Sequence, residues 1–479
     1  MAQQHMDRLS SVDASFLTQE TSHSHMHVGA IVVCEGPPPS YDDVLEHVRS
    51  RLHLVPRFRQ KLAFPPMELG RPFWIDDPSF NLEYHVRHSA LPAPGTEEQL
   101  RKMAARVFSQ QLDRTKPLWE LWLVQGLKKK RFALLSKTHH AVVDGVAGVD
   151  IATVLFDVTP VPEPAEPDHE WIPQPEPSAA DLAARGVEGI ATAPLRLARR
   201  VVTAVEHPRP AVQQATEAAE ALGEVAWNLA NPAPQVPVNV EIGSHRRFDW
   251  VRTELREFKR IKNALGGTVN DVVLAVVSGA LRRWLRARGI KTEGLELRAL
   301  VPVSIRAEDE HGQLGNRIAA VRGPLPVYIS DPVRRLEIVS ESMRGVKSSN
   351  QALGAEVISR FNDFAPPTLL AQASRLNFST RLFNLIVTNV PGPQMPLYVL
   401  GRELEDVFPV AFLPENHALA IAIMSYNGGI DFGLLADYDA MDDVELIVDG
   451  IKASIAELSE AAERVEAQAE AEAEPTAAS

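Results

Sequence analysis

The 479-residue sequence predicts a mixed α/β protein made of two lobes of similar size. Three observations carry that expectation. Strand-like and amphipathic helical segments alternate up to about residue 157, the composition turns proline-rich over 158–180, and a second alternation begins near Arg246. The expected division is a first lobe at 1–157, a Pro-rich linker with connecting helices at 158–245, a second lobe at 246–458, and an acidic Ala/Glu-rich tail at 459–479.

In the first lobe "MHVGAIVVCEG" reads as a strand ending in Gly36 and three prolines. "YDDVLEHVRSRLHLV" sets Val44, Leu45, Val48, Leu52 and Leu54 on or near one helical face, and "EEQLRKMAARVFSQQL" is a second amphipathic helix. "LWELWLVQGL" and "RFALLSKTHH" read as a hairpin turned by the solvated run Lys128–Lys130. Proline at the density of "DVTPVPEPAEPDHEWIPQPEPSAAD" blocks helix and central strand, so 158–180 is expected to be exposed. The basic amphipathic helix that follows, with Arg196, Arg199 and Arg200, is read as packing over the linker, with an anionic membrane surface as the alternative.

In the second lobe "RTELREFKRIKNAL" is a helix stopped by Gly266-Gly267, and "TVNDVVLAVVSGALRRWLRARG" is a longer one with an apolar face. "LELRALVPVSIR" and "FNLIVTNVPGP" are strand-like, and "HALAIAIMSYNGGIDFGLLADYD" is a hairpin bent at Asn427-Gly428-Gly429. The tail has too few apolar residues to pack, and frayed helix or disorder is expected there.

Composition narrows the function. The chain is 45% hydrophobic and 23% charged, which allows a sizeable core. Its net charge is −13, and residues 457–479 hold seven Glu against one Arg. An acidic balance argues against a nucleic-acid partner. The single cysteine, Cys34, excludes a disulfide within the chain and fits a reducing compartment. The N-terminus lacks the pattern of a signal peptide, and no uninterrupted apolar run reaches the ~18–20 residues of a membrane span. The expected location is cytoplasmic, or peripheral at the inner membrane face or on lipid droplets.

The chemistry concentrates in "THHAVVDG", residues 138–145. A metal site would need further ligands at suitable spacing, and none stands nearby. His23, His25 and His27 would share one face of a strand, but without acidic or Cys partners no metal site is expected there either. A hydrolase triad would need a nucleophile, yet the chain has no GxSxG elbow and its one thiol sits in an apolar strand. For one histidine a core role satisfied by local hydrogen bonds would be preferred. A general base at a strand-to-helix junction accounts for every residue of the stretch. The strand presents an imidazole, Asp144 caps the next helix or pairs with an arginine, and Gly145 allows close backbone approach. A neutral imidazole takes a proton at physiological pH without a covalent intermediate.

His139-His140-x-x-x-Asp144-Gly145 resembles the HHxxxDG signature of the CoA-dependent acyltransferases, a superfamily that includes chloramphenicol acetyltransferase and peptide-synthetase condensation domains. Further stretches narrow the resemblance to the bacterial wax ester synthase/diacylglycerol acyltransferase family. They are "RLSSVDASFL" with "MHVG" behind it, "PLWELWLVQGL", "TVNDVVLAVVSGALRRWL", "VPVSIR", "TNVPGP" with "LYVLG", and "SYNGGIDFGLLAD", in order over roughly residues 7 to 450.

That resemblance implies an α+β sandwich of two chloramphenicol acetyltransferase-like lobes, each a mixed sheet flanked by helices, with an active-site tunnel between them. It implies transfer of a long-chain fatty acyl group from acyl-CoA to diacylglycerol or a fatty alcohol. Acyl-CoA is the co-substrate, no cofactor is bound permanently, and no metal takes part. The second histidine, His140, is the base; His139 supports the loop or acts directly; Asp144 is structural and bridges an arginine, Arg59 ahead of Arg306. Asn270 with Asp271 matches the family's Asn-Asp pair, though these residue types also favour a helix start, and Thr388 and Asn389 are either turn residues or donors to the thioester oxygen, alongside Gly145 as a substrate-binding position. Pro117 to Trp119 is expected to shape the wall. The competing readings are a condensation-type or short-chain/polyketide acyltransferase, and a non-catalytic lipid-binding or lipid-droplet protein.

Overall fold

Two six-stranded mixed sheets and one three-stranded sheet frame the protein, in a computed structural model that describes residues 6–68, 70–143, 155–161, 171–191, 230–304, 318–348 and 378–473. The first half runs β1 (Asp7–Arg8), α1 (Ser11–Gln19), β2 (His27–Cys34), α2 (Tyr41–Arg49), β3 (Gln60–Ala63), β4 (Phe73–Asp76), α3 (Leu82–His85), β5 (Val86–Ala90), α4 (Glu97–Phe108), β6 (Trp119–Leu127), β7 (Arg131–His139) and α5 (His140–Val143). Next come α6 (Ala179–Ala191), β8 (Arg246–Glu254), α7 (Leu255–Leu265), α8 (Val269–Ala287), β9 (Leu297–Ser304), β10 (Ile318–Leu325) and α9 (Pro332–Ser348). The chain closes with β11 (Leu385–Pro391), β12 (Tyr398–Val399), β13 (Arg402–Val410), β14 (Leu419–Tyr426), β15 (Gly429–Asp437) and α10 (Val444–Ala473).

Helix starts follow from side chains that satisfy the first free N–H groups. Ser40 with Asp43, Thr96 with Gln99, and Thr268 with Asp271 each form a reciprocal capping box at α2, α4 and α8. Along α8, Val272 to Val277 are fully buried, and one apolar cluster joins this helix to Ile31, Val33 and Leu135 of the first half. Replacing Thr268 with alanine is expected to cost about 1 kcal/mol, read as a lower midpoint of chemical unfolding.

The sheets are ordered β12-β13-β2-β7-β6-β5 and β10-β9-β11-β14-β15-β8, with β1-β4-β3 apart. The first order draws strands from both halves of the chain into one sheet. β13 lies beyond residue 400 yet pairs antiparallel with β2, Phe408 opposite Ile31. Without it β2, an apolar strand, would be an open edge, and a strand from the second half covers that edge. Trp250 of β8 stacks on Phe408 at 4.3 Å, binding the two sheets face to face.

Three further expectations are refined. The tail is helical through Ala473, because Leu458, Ala461 and Ala462 are buried and Glu463 meets Arg260 at 3.2 Å. Residues Arg252 to Glu254 finish β8 rather than open a helix, being paired along β15. The linker is exposed in its described part but tethered: Trp171 packs edge-on against Phe80 at 6.2 Å, and Gln174 N–H donates to Asp76 at 3.1 Å. Arg196, Arg199 and Arg200 lie outside the described residues.

Candidate active site

α1 begins at Ser10, whose hydroxyl accepts the Asp13 N–H at 3.0 Å, and turns Phe16 and Leu17 inward. The chain then leaves the helix at Glu20 in an extended conformation. Pairing of β2 with β7 sets His27 directly opposite His139. These three segments bring one carboxylate against two imidazoles. Glu20 Oε1 lies 3.4 Å from His27 Nε2, and Oε2 lies 3.5 Å from His139 Nε2. Arg114 closes the group, its Nε donating to Glu20 Oε2 at 2.7 Å and an Nη to the Leu17 carbonyl at 2.8 Å.

The electrostatics follow from burial. Glu20 is almost wholly enclosed, which alone would raise its pKa. Hydrogen bonds and charges from His139 and His27 outweigh burial and hold the carboxyl well below its usual range. Burial pushes His27 well below the usual histidine value, with Glu20 opposing. Lys137, two residues before His139, is pushed down to about 8 by burial. Its ammonium donates to the carbonyls of Val107 at 3.0 Å and Gln110 at 2.6 Å.

The two adjacent histidines differ in surroundings. His139 is fully buried, and the Ala141 N–H donates to its Nδ1 at 3.1 Å, which leaves Nε2 as the ring nitrogen that faces Glu20. Its backbone N–H donates to Leu118 O at 3.0 Å, which is how "PLW" meets the pair. Trp119 itself is a core residue, stacked on Phe58 and His85 with its indole N–H on Phe58 O at 2.8 Å. His140 is half-buried. Its N–H donates to Met26 O at 2.8 Å, and its ring stacks on Phe16 with centroids 4.0 Å apart. Phe412, just past β13, meets the ring edge-on at 5.6 Å, and Phe378 closes on both phenylalanines at 6.3 and 5.8 Å. A partly accessible imidazole in an aromatic wall built from both halves can exchange a proton while water is kept away.

The second group of candidates meets on the other sheet. Asn389 of β11 donates from Nδ2 to Asn270 Oδ1 of α8 at 3.4 Å. Thr388 and Asn389 are half-buried, opposite Ala422 and Ile423 of β14. Asp271 is taken up by its cap, accepting the Thr268 N–H at 2.8 Å. Arg59 is buried, with its guanidinium 4.6 Å from the centroid of the Trp171 ring. Asp144, Gly145 and Arg306 lie outside the described residues.

The residues that build this site fall in stretches matched by two family models. Residues 9–273 match the wax ester synthase/diacylglycerol acyltransferase catalytic domain, and 314–459 match the C-terminal domain of the same family. This chain belongs to that family. A Mycobacterium tuberculosis (strain H37Rv) protein described as a probable diacylglycerol O-acyltransferase is 32% identical over 457 residues, covering 95% of this chain and 96% of the relative. The solved wax ester synthase/diacylglycerol acyltransferase of Marinobacter aquaeolei VT8 is 27% identical, with a TM-score of 0.68 over 95% of this chain and 99% of that one. The starter condensation domain of rhizomide synthetase shares the fold at 13% identity, with a TM-score of 0.57 over 96% and 94% of the two chains. The chain is therefore an acyltransferase of the wax ester synthase/diacylglycerol acyltransferase family, with the expected two-lobed fold.

Sequence reasoning missed Glu20, Arg114, Lys137, Phe16 and Phe412 as parts of the site. Phe16 stood within a quoted family stretch, but Glu20 and Arg114 are 94 residues apart and no local pattern links them. The histidine row was also misread. Only His27 lies in β2, since Thr21 to Ser24 form a turn, and His27 does have an acidic partner in Glu20.

Proposed function

We propose that this family member transfers a long-chain fatty acyl group from acyl-CoA to the hydroxyl of diacylglycerol or of a fatty alcohol, with His140 as general base. The observation that carries the reading is the half-buried His140 ring held between Phe16 and Phe412. His140 takes the acceptor's proton as the oxygen attacks the thioester carbonyl carbon. The tetrahedral oxyanion is held by donors such as the Thr388 hydroxyl and the Asn389 amide. Collapse breaks the C–S bond, and the proton passes from His140 to the departing CoA thiolate. No acyl group rests on the protein at any stage.

His139 is then a positioning residue, since its buried ring faces Glu20 rather than a substrate. Asp144 is assigned a structural ion pair with the buried Arg59. Asp144→Asn is expected to lower both melting temperature and turnover, and an unchanged melting temperature would remove that pairing. A dry site between the lobes suits both acceptors, because transfer must outrun hydrolysis by water. Incubation with labelled palmitoyl-CoA and either dioleoylglycerol or hexadecanol tests the reading; labelled triacylglycerol or wax ester is expected, and free fatty acid alone would contradict it.

A further inference from the structure

Phe412 stands where the chain crosses from the first sheet to the second, between Val410 at the end of β13 and Leu419 at the start of β14. Residues 411–414, 417 and 418 are buried, and Glu415 and Asn416 form an exposed tip. Asn416 takes φ 61°, a left-handed conformation that asparagine tolerates better than most residues. The His417 N–H closes the turn on the Pro414 carbonyl at 3.1 Å. A crossing segment lies outside both ladders, so its position depends on the bonds its own side chains and carbonyls make.

Side-chain tethers lie on both sides of it. Toward the first half, the buried Ser24 hydroxyl donates to the Leu413 carbonyl at 2.8 Å, one residue from Phe412. Toward the second half, the fully buried His417 ring stacks on Phe383 with centroids 4.5 Å apart and planes 24° from parallel. Its Nδ1 lies 2.8 Å from the Glu415 carbonyl oxygen, and its Nε2 lies 3.3 Å from that of Phe383. Burial pushes the His417 pKa down to about 4, so the ring is neutral at physiological pH and has one N–H for the two carbonyls. The stack on Phe383 holds whichever carbonyl takes it. Phe383 in turn meets Phe378 edge-on at 6.1 Å, and Phe378 meets Phe412 at 5.8 Å. Phe383 and Asn384 lead directly into β11, which carries Thr388 and Asn389. One imidazole therefore joins the segment that sets Phe412 against His140 to the strand that offers the proposed oxyanion donors. No step of acyl transfer as read above uses it.

We propose that His417 is a positioning residue for acyl transfer, fixing the aromatic wall over His140 so that the acceptor hydroxyl, and not water, meets the base. The inference rests on His140 being that base, as read above. Water in the acceptor's place gives its proton to the His140 ring while its oxygen attacks the thioester carbon. The C–S bond then breaks, the proton passes to the thiolate, and free fatty acid leaves with CoA. The readout is therefore the partition between ester and free acid, which a purely stabilising role does not move.

The full chain is given labelled palmitoyl-CoA and hexadecanol, and wax ester and free palmitate are quantified beside the melting temperature. His417→Leu keeps a side chain of similar size but neither the stack nor the N–H. Its ratio of palmitate to ester is expected to rise by about 10-fold or more. Ser24→Ala, a smaller change that leaves His417 in place, is expected to move the ratio in the same direction, and it decides the matter if His417→Leu does not fold. Thr96→Ala, which removes the cap of α4, is the control; it lowers the melting temperature and keeps the parent's ratio. A parent-like ratio in folded His417→Leu overturns the proposal, as does a parent-like ratio in Ser24→Ala where that variant decides, or an equal rise in the control. Parent protein that forms no ester overturns the acyl-transfer reading and this inference with it. Ester formation with an unmoved ratio overturns the inference alone.

Discussion

His140→Ala lowers acyl transfer by roughly 10²–10⁴-fold, the range a positioned general base contributes, while the protein stays folded. The fold survives because the hydrogen bond from residue 140 to Met26 O is made by the backbone, which alanine keeps. The ring's contacts with Phe16 and Phe412 are lost with the base, the stack on Phe16 being on the order of 0.5–1.5 kcal/mol. Turnover with saturating palmitoyl-CoA, measured beside the thermal unfolding midpoint, separates the two effects. A variant that unfolds at the parent's temperature and still turns over at the parent's rate would remove His140 from the mechanism.

Glu20→Gln is expected to act on stability first and on turnover through it. The carboxylate faces His27, His139 and Arg114, and taking away its charge leaves Arg114 without its counter-ion. Breaking a buried pair from one side costs about 3–5 kcal/mol; Arg114 is a third exposed, so the lower end of that range or less is expected. The loss also has a pH signature. Because the folded Glu20 carboxyl lies below its ordinary value of 4.5, its contribution is full above that pH. It is lost progressively as pH falls below 4.5, where the unfolded chain binds the proton first. The stability gap between parent and variant therefore narrows on acidification. Chemical unfolding at a series of pH values measures it, and a gap independent of pH would contradict the assignment. As a positioning residue, Glu20 is expected to affect kcat more than KM.

Legibility in the sequence divided along the range of the interactions. Periodicity and turn residues located the β6–β7 hairpin, the β14–β15 hairpin and α8, because those elements are fixed by neighbours a few residues away. The pairing of β13 with β2 joins Phe408 to Ile31 and leaves no local mark, so this crossover into the first sheet was not legible. The histidine pair was legible as chemistry because adjacent polar rings at the end of an apolar strand are unusual. Its supporting group was not. Glu20 reads locally as a solvated acid at a helix end, and only the β2–β7 register carries His27 and His139 to it. Of the two alternatives open for the tail, helix is the one found through Ala473, with Ala461 and Ala462 buried.

The claim on which the mechanism turns is that the acyl group passes from thiol to hydroxyl without resting on the protein. Intact-protein mass spectrometry after rapid mixing with palmitoyl-CoA, in the absence of acceptor, addresses it directly. The account predicts an unmodified mass, with labelled ester appearing only once dioleoylglycerol or hexadecanol is added. A palmitoylated protein whose acyl group is chased into product by the acceptor would contradict it.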